Sequence, residues 1–210
     1  MTVVEAIEVE PQEDEILRLL RRGKTRKDPG AWTLGLIRQA LDDARVLSRA
    51  RGVYGFFDSD RLPNHPAFES AIRVGLCICT IGPDLEDRVA ELMREGELVR
   101  GVVLDAVGSE MTEAAARVLD DRMEAEEGGE GLRASARFSP GYAEWELEGQ
   151  RLLFDVLDGG RIDVGLSDSM MMKPRKSVSF GINFGPNPKP PRCATLCSRC
   201  DMEDCRYRRE

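Results

Sequence analysis

Apolar positions along this 210-residue chain change their period several times, and each change marks an element. Residues 1–11, with Glu5, Glu8 and Glu10, read as a loose acidic lead-in ending at Pro11. Glu13 to Arg22 carries Ile16, Leu17, Leu19 and Leu20 at helical spacing, and Gly23 to Gly30 breaks that pattern. Trp32 to Arg49 sets Leu34, Ile37, Leu41, Ala44 and Leu47 near one helical face, with Arg38, Asp42, Asp43 and Arg45 over much of the other. Gly52 to Phe57 and Ala71 to Ile81 predict strands. Gly82-Pro83-Asp84 then turns the chain into a helix, since proline is tolerated in a first helical turn. Leu85 to Arg94, Val99 to Glu124 and Glu146 to Leu157 read as helices, the last stopped by Asp158-Gly-Gly160. Ser177 to Phe184 alternates as a strand does, and Pro186, Pro188, Pro190 and Pro191 form an extended spacer after it.

Strands and helices do not alternate cleanly, which favours an α+β fold over a doubly wound one. The expected architecture is helices packed on a twisted, mainly antiparallel sheet, with a small cysteine-rich metal-binding tail at the C-terminus. Three segments follow: an N-terminal helical segment (1–51), a main domain (52–185), and the proline spacer with its tail (186–210). A hydrophobic share of 41% suffices for a sizeable core, and 32% charged residues is ordinary for a soluble protein. The net charge of -8 argues against duplex nucleic acid as a partner. No apolar run reaches the length of a membrane span, and the N-terminus lacks the basic and apolar regions of a signal peptide. A cytoplasmic protein is expected. Glu126 to Gly131 is a glycine-rich break, but it lacks the Gly-Lys-Ser/Thr ending of a phosphate loop and follows no strand.

The six cysteines fall into two groups. Cys77 and Cys79, two apart on a strand, share one face and read as core. Cys193, Cys197, Cys200 and Cys205 form C-x3-C-x2-C-x4-C, with no histidine nearby. Four thiols so close together predict one metal centre, either a structural zinc or a four-iron, four-sulfur (4Fe-4S) cluster. The first three match the spacing of radical S-adenosylmethionine enzymes, but nothing of barrel size follows them, so that class is rejected. The only histidine, His65, stands in Leu62-Pro-Asn-His-Pro66. Pro63 and Phe68 occupy the places where a D-x-H-x-x-G cobalamin motif needs Asp and Gly, so the chain is not expected to carry cobalamin itself.

Two segments carry candidate chemistry: Arg137-Phe-Ser-Pro-Gly-Tyr142 and Ser169-Met-Met-Met-Lys-Pro-Arg-Lys-Ser-Val-Ser179. A guanidinium close to a Pro-Gly turn suits the carboxylate of a small ligand. Together with Gly52-Val-Tyr-Gly-Phe-Phe57, Arg61, Cys79-Thr-Ile-Gly82, and Thr112 to Ala116 with Leu119 and Arg122, they resemble the activation domain of cobalamin-dependent methionine synthase. The resemblance spans roughly Gly52 to Phe184. It implies binding of S-adenosylmethionine, with Arg137 and Tyr142 holding the ligand and Pro140 and Gly141 offering backbone groups. Glu113 would take the family's acidic role, and Ser177 and Ser179 would border the site. Such a ligand carries a carboxylate, an ammonium and a sulfonium, so its pocket wants a fixed cation and at least one carboxylate.

The implied function is reactivation: the chain meets cobalamin on a partner corrinoid protein or methionine synthase modules, with a flavodoxin or ferredoxin as reductant. Met170, Met171 and Met172 read as core or as a soft surface for a corrin ring. The chain departs from the family in lacking its ligand-binding Asp before Gly52 and the Tyr after Ser179. Those departures leave two rivals: a non-enzymatic corrinoid-protein-binding module with a decayed pocket, and a methyltransferase acting on another substrate.

Overall fold

The computed structural model of the chain describes residues 1–20, 30–129, 131–142 and 145–189. In chain order, β1 (Thr2–Val4), α1 (Glu13–Leu20) and α2 (Ala31–Leu47) precede β2 (Arg51–Asp58) and β3 (Arg73–Thr80). Next come α3 (Asp84–Arg94) and the 30-residue α4 (Leu98–Glu127), then β4 (Arg133–Ala134) and α5 (Gln150–Val156). A short hairpin of β5 (Gly165–Leu166) and β6 (Met172–Lys173) leads into β7 (Ser177–Gly185). The main sheet has the order β1-β2-β3-β7-β4, and every neighbouring pair is antiparallel. The α+β reading therefore holds.

Alternation along the strands separates two cores. Val53, Val74, Leu76 and Ile78 point to one side, where they pack with Phe138, Trp145, Leu153, Leu157 and Ile162. Tyr54, Cys77, Cys79, Phe180, Ile182 and Phe184 point to the other, against Ala116, Leu119 and Met123 of α4. The N-terminal half of α4 runs past the sheet. There it forms a third cluster with Ile16 and Leu17 of α1, Ile37 and Ala44 of α2, and Leu85 and Leu92 of α3. That double service explains why α4 is apolar on several sides instead of amphipathic. Its close approach to the sheet needs Gly52, where a Cβ would lie 2.4 Å from Leu119 Cδ1.

Several boundaries differ from the sequence expectation. The acidic lead-in contains an edge strand, with Val3 opposite Val53 and Val4 opposite Gly52. The Glu146–Leu157 helix opens as a 3-10 turn over Leu147–Gly149 before α5 begins. α2 stops at Leu47 because Arg49 is drawn out to donate its N–H to the Ile81 carbonyl at 2.7 Å. Arg21, Arg22 and the four tail cysteines, Cys193, Cys197, Cys200 and Cys205, lie outside the described residues. Among the described residues, no helix is long and apolar enough to cross a membrane.

Candidate functional site

The segment after α4 runs along the outer edge of β7. Arg133 faces Gly185, Ala134 faces Phe184, and Ser135 donates its N–H to the Asn183 carbonyl at 2.8 Å. Phe138 then pairs with Gly181, exchanging hydrogen bonds of 2.9 and 2.7 Å. From Ser135 to Phe138 is three steps, yet from Asn183 to Gly181 is only two. One residue is extra, which makes this a β-bulge that re-aims the side chains beyond it. In even register Arg137 would stand opposite Gly181, on the α5 side of the sheet. With the extra residue, Phe138 takes that place and enters the core there, while Arg137 turns toward α4. Gly181 lets the Phe138 ring lie flat on β7, since a Cβ would meet it at 3.1 Å.

Arg137 then meets three groups. Its Nη2 donates to Glu113 Oε2 on α4 at 2.5 Å. Its guanidinium lies 5.7 Å from the centroid of the Phe180 ring, a cation–π contact. Its field also reaches Asp120 on α4 and the Cys77 thiol on β3. Among the described residues the remaining Arg137 N–H groups have no protein acceptor, and the side chain is 22% exposed against 39% for Glu113. A guanidinium so oriented, with donors left over and access to solvent, can accept a second anion.

Burial pushes the Asp120 carboxyl up to about 6; Arg137 opposes this, and Asp121 and Glu124 add to it. Burial pushes the Cys77 thiol well up, helped by Cys79, so this thiol stays protonated and is no nucleophile. Asp120 has no counterpart among the residues singled out from sequence. A signal was available, because it follows Glu113 by seven residues and so returns to the same side of the helix.

The next residues build a tight turn. Pro140 and Gly141 occupy its centre, Gly141 adopts φ 86°, and the Tyr142 N–H returns to the Ser139 carbonyl at 3.3 Å. This is a type II turn, for which proline followed by glycine is the favoured sequence. The Gly141 N–H bonds to the Trp145 carbonyl at 2.8 Å, so both turn N–H groups are used internally. The Pro140 and Gly141 carbonyls accept nothing among the described residues, and they are what the turn can offer a ligand. Pro140 is buried, whereas Tyr142 is 67% exposed.

Ser177 and Ser179 are not brought to Arg137. They alternate with Val178 and Phe180, so they sit on the opposite face of β7, both buried. Ser177 Oγ donates to the Pro174 carbonyl at 2.7 Å. The basic residues just before them are structural in part. Lys176 Nζ is enclosed by Asp105 Oδ1 at 2.8 Å, the Asp105 carbonyl at 2.9 Å and Ser109 Oγ at 2.8 Å, which ties the start of β7 to α4. The methionines divide: Met170 is buried with φ 61°, Met172 is half-buried and Met171 is exposed. His65 caps a short turn, its Nδ1 accepting the Ala67 N–H at 3.1 Å. Among the described residues, no group of three or more His, Cys, Asp or Glu side chains could hold a metal ion.

No protein-family model matches the sequence, and no curated protein matches it. Thirteen solved chains match the fold. One of them is the crystal structure of the MetH reactivation domain bound to AdoHcy, with a TM-score of 0.63 and 17% sequence identity. The match covers 94% of this chain and 85% of that one. At such low identity the likeness shows a shared fold.

Proposed function

We propose that the chain binds S-adenosylmethionine and supports reductive remethylation of cobalamin on a partner corrinoid protein or methionine synthase. The observation that carries this reading is the Arg137–Glu113 pair at 2.5 Å, set beside a Pro-Gly turn with an exposed Tyr142. In the free protein the two side chains neutralise one another. An α-amino acid end can replace that contact group for group, its carboxylate on Arg137 and its ammonium on Glu113. Tyr142 offers a ring face for the adenine, and the Pro140 and Gly141 carbonyls offer acceptors. The fold shared with a reactivation domain that binds AdoHcy supports the same ligand class.

The chemistry resides in the sulfonium methyl group and in the reduced cobalt of the partner's corrinoid, with an electron supplied by a flavodoxin or ferredoxin. This chain positions the methyl donor and limits water around it, and needs no catalytic acid or base. The four tail cysteines hold one metal centre, zinc or a 4Fe-4S cluster, in this proposal.

Calorimetric titration with S-adenosylmethionine tests the pocket. Binding to the unmodified chain, weakened by ~1.5–3 kcal/mol in Arg137→Ala, is the expected result. No binding to the unmodified chain would remove the proposal. That result would favour the rival, a non-enzymatic corrinoid-protein-binding module, which the burial of Ser177 and Ser179 on the far face of β7 supports.

A further inference from the structure

Asp120 follows Glu113 by seven residues on α4, so the two carboxylates share one side of the helix about 10 Å apart along its axis. Asp120 is half-buried and makes no hydrogen bond or ion pair among the described residues. The charged and titratable groups that bear on it are Arg137 from the β7 edge, Cys77 from β3, and Asp121 and Glu124 from its own helix. Its solvation is reduced and its neighbours on α4 are acidic, so holding it there costs stability. Carboxylates kept in such places gather at functional sites.

Counting charges shows what this one could do. Glu113 is negative, Arg137 positive and Asp120 negative. A sulfonium methyl donor presents the opposite set: ammonium, carboxylate and sulfonium. Once the amino acid end has engaged Glu113 and Arg137, Asp120 is the one charge of the three still uncompensated. We propose that Asp120 is a specificity-determining residue that favours the sulfonium donor over its neutral thioether product.

This inference rests on the assignment of S-adenosylmethionine to the site. When the methyl group leaves for its acceptor, the S–CH3 bonding pair stays on sulfur and the sulfonium becomes a thioether. The product keeps the shape and the amino acid end but loses the third charge. Asp120 then holds the donor before transfer and not the product after it, which would drive exchange of spent ligand. A single charge pair several ångströms apart at a partly solvated site is worth about three- to tenfold in affinity.

The test is calorimetric titration of S-adenosylmethionine and S-adenosylhomocysteine into the full chain and its Asp120→Asn and Asp120→Glu variants. The readout is the ratio of the two affinities, which a purely structural role would not move. The unmodified chain should favour the sulfonium ligand. Asp120→Asn, nearly identical in shape, should lower the ratio about three- to tenfold, and Asp120→Glu should restore most of it. An unchanged ratio in Asp120→Asn, or equal loss for both ligands, overturns the inference and leaves the binding proposal standing. Failure of both ligands to bind the unmodified chain overturns the two together.

Discussion

Replacing Asp120 by asparagine removes a carboxyl that the fold holds at a raised pKa, and the size of the effect can be worked out. Burial lifts the group to about 6 in the folded chain, against roughly 3.9 for an unperturbed aspartate. Between those values the folded chain binds a proton that the unfolded chain releases. The group's support of the fold is therefore complete below about pH 4 and lost as the pH rises through about 6. A gap of about two pH units corresponds to ~3 kcal/mol at most. Asp120 is only half-buried, and solvent screening reduces this to about 1 kcal/mol. Asp120→Asn should accordingly be more stable than the unmodified chain by about 1 kcal/mol at pH 7.5, with the gain shrinking to nothing near pH 4. Urea unfolding at the two pH values reads this directly, as a midpoint shift of about 0.5 M at pH 7.5. A variant no more stable at pH 7.5, or one whose advantage is the same at pH 4, would refute the account of Asp120 as a costly charge.

Glu110 should behave in the opposite sense. It is almost fully buried, pairs with Arg117 at 2.6 Å and accepts the Gln12 N–H at 3.1 Å where α1 begins. Glu110→Ala should cost about 2–4 kcal/mol in urea unfolding, and a change below about 0.5 kcal/mol would show that Arg117 and Gln12 find equivalent partners. The tail is tested by metal analysis and absorption of anaerobically purified protein. One metal per chain is expected, lost in Cys200→Ser: brown and air-sensitive for iron–sulfur, colourless for zinc. Four metal-free thiols, with iron and zinc supplied, would end the metal proposal.

Much of the fold could be read from the sequence because its main elements bury continuous apolar runs. β2, β3 and β7 announce themselves as Val-Tyr-Gly-Phe-Phe57, Val74 to Ile81 and Val178 to Phe184. Gly82-Pro83-Asp84 punctuates the entry to α3. The missed strands are two or three residues long, and nothing local distinguishes them. Val3 and Val4 are strand residues only because β2 offers an edge, and Arg133–Ala134 only because β7 does.

The site was legible unevenly for similar reasons. Arg137 and Glu113 were found through a resemblance, yet no local pattern shows that they meet. Their contact depends on a bulge, which is a property of two segments about 45 residues apart. The burial of Ser177 and Ser179 away from Arg137 could have been foreseen. They alternate with Val178 and Phe180, and a period of two sends them to the other face.

The extra residue on the β7 edge makes the direction of Arg137 depend on spacing as much as on residue type. Deleting Ala136 would leave Arg-Phe-Ser-Pro-Gly-Tyr untouched as a string of letters. In space, the shortened segment would have to choose. Even register would send the guanidinium to the α5 side and leave Glu113 unpaired. Keeping Arg137 on Glu113 would instead pull Phe138 away from Gly181 and the turn out of place. The distance in residues from the β4 pairing to the Pro-Gly turn thus decides whether Arg137 meets Glu113, and the motif alone does not. A chain that keeps the letters but loses one residue would lose either the Arg137–Glu113 pair or the seating of Phe138 on Gly181.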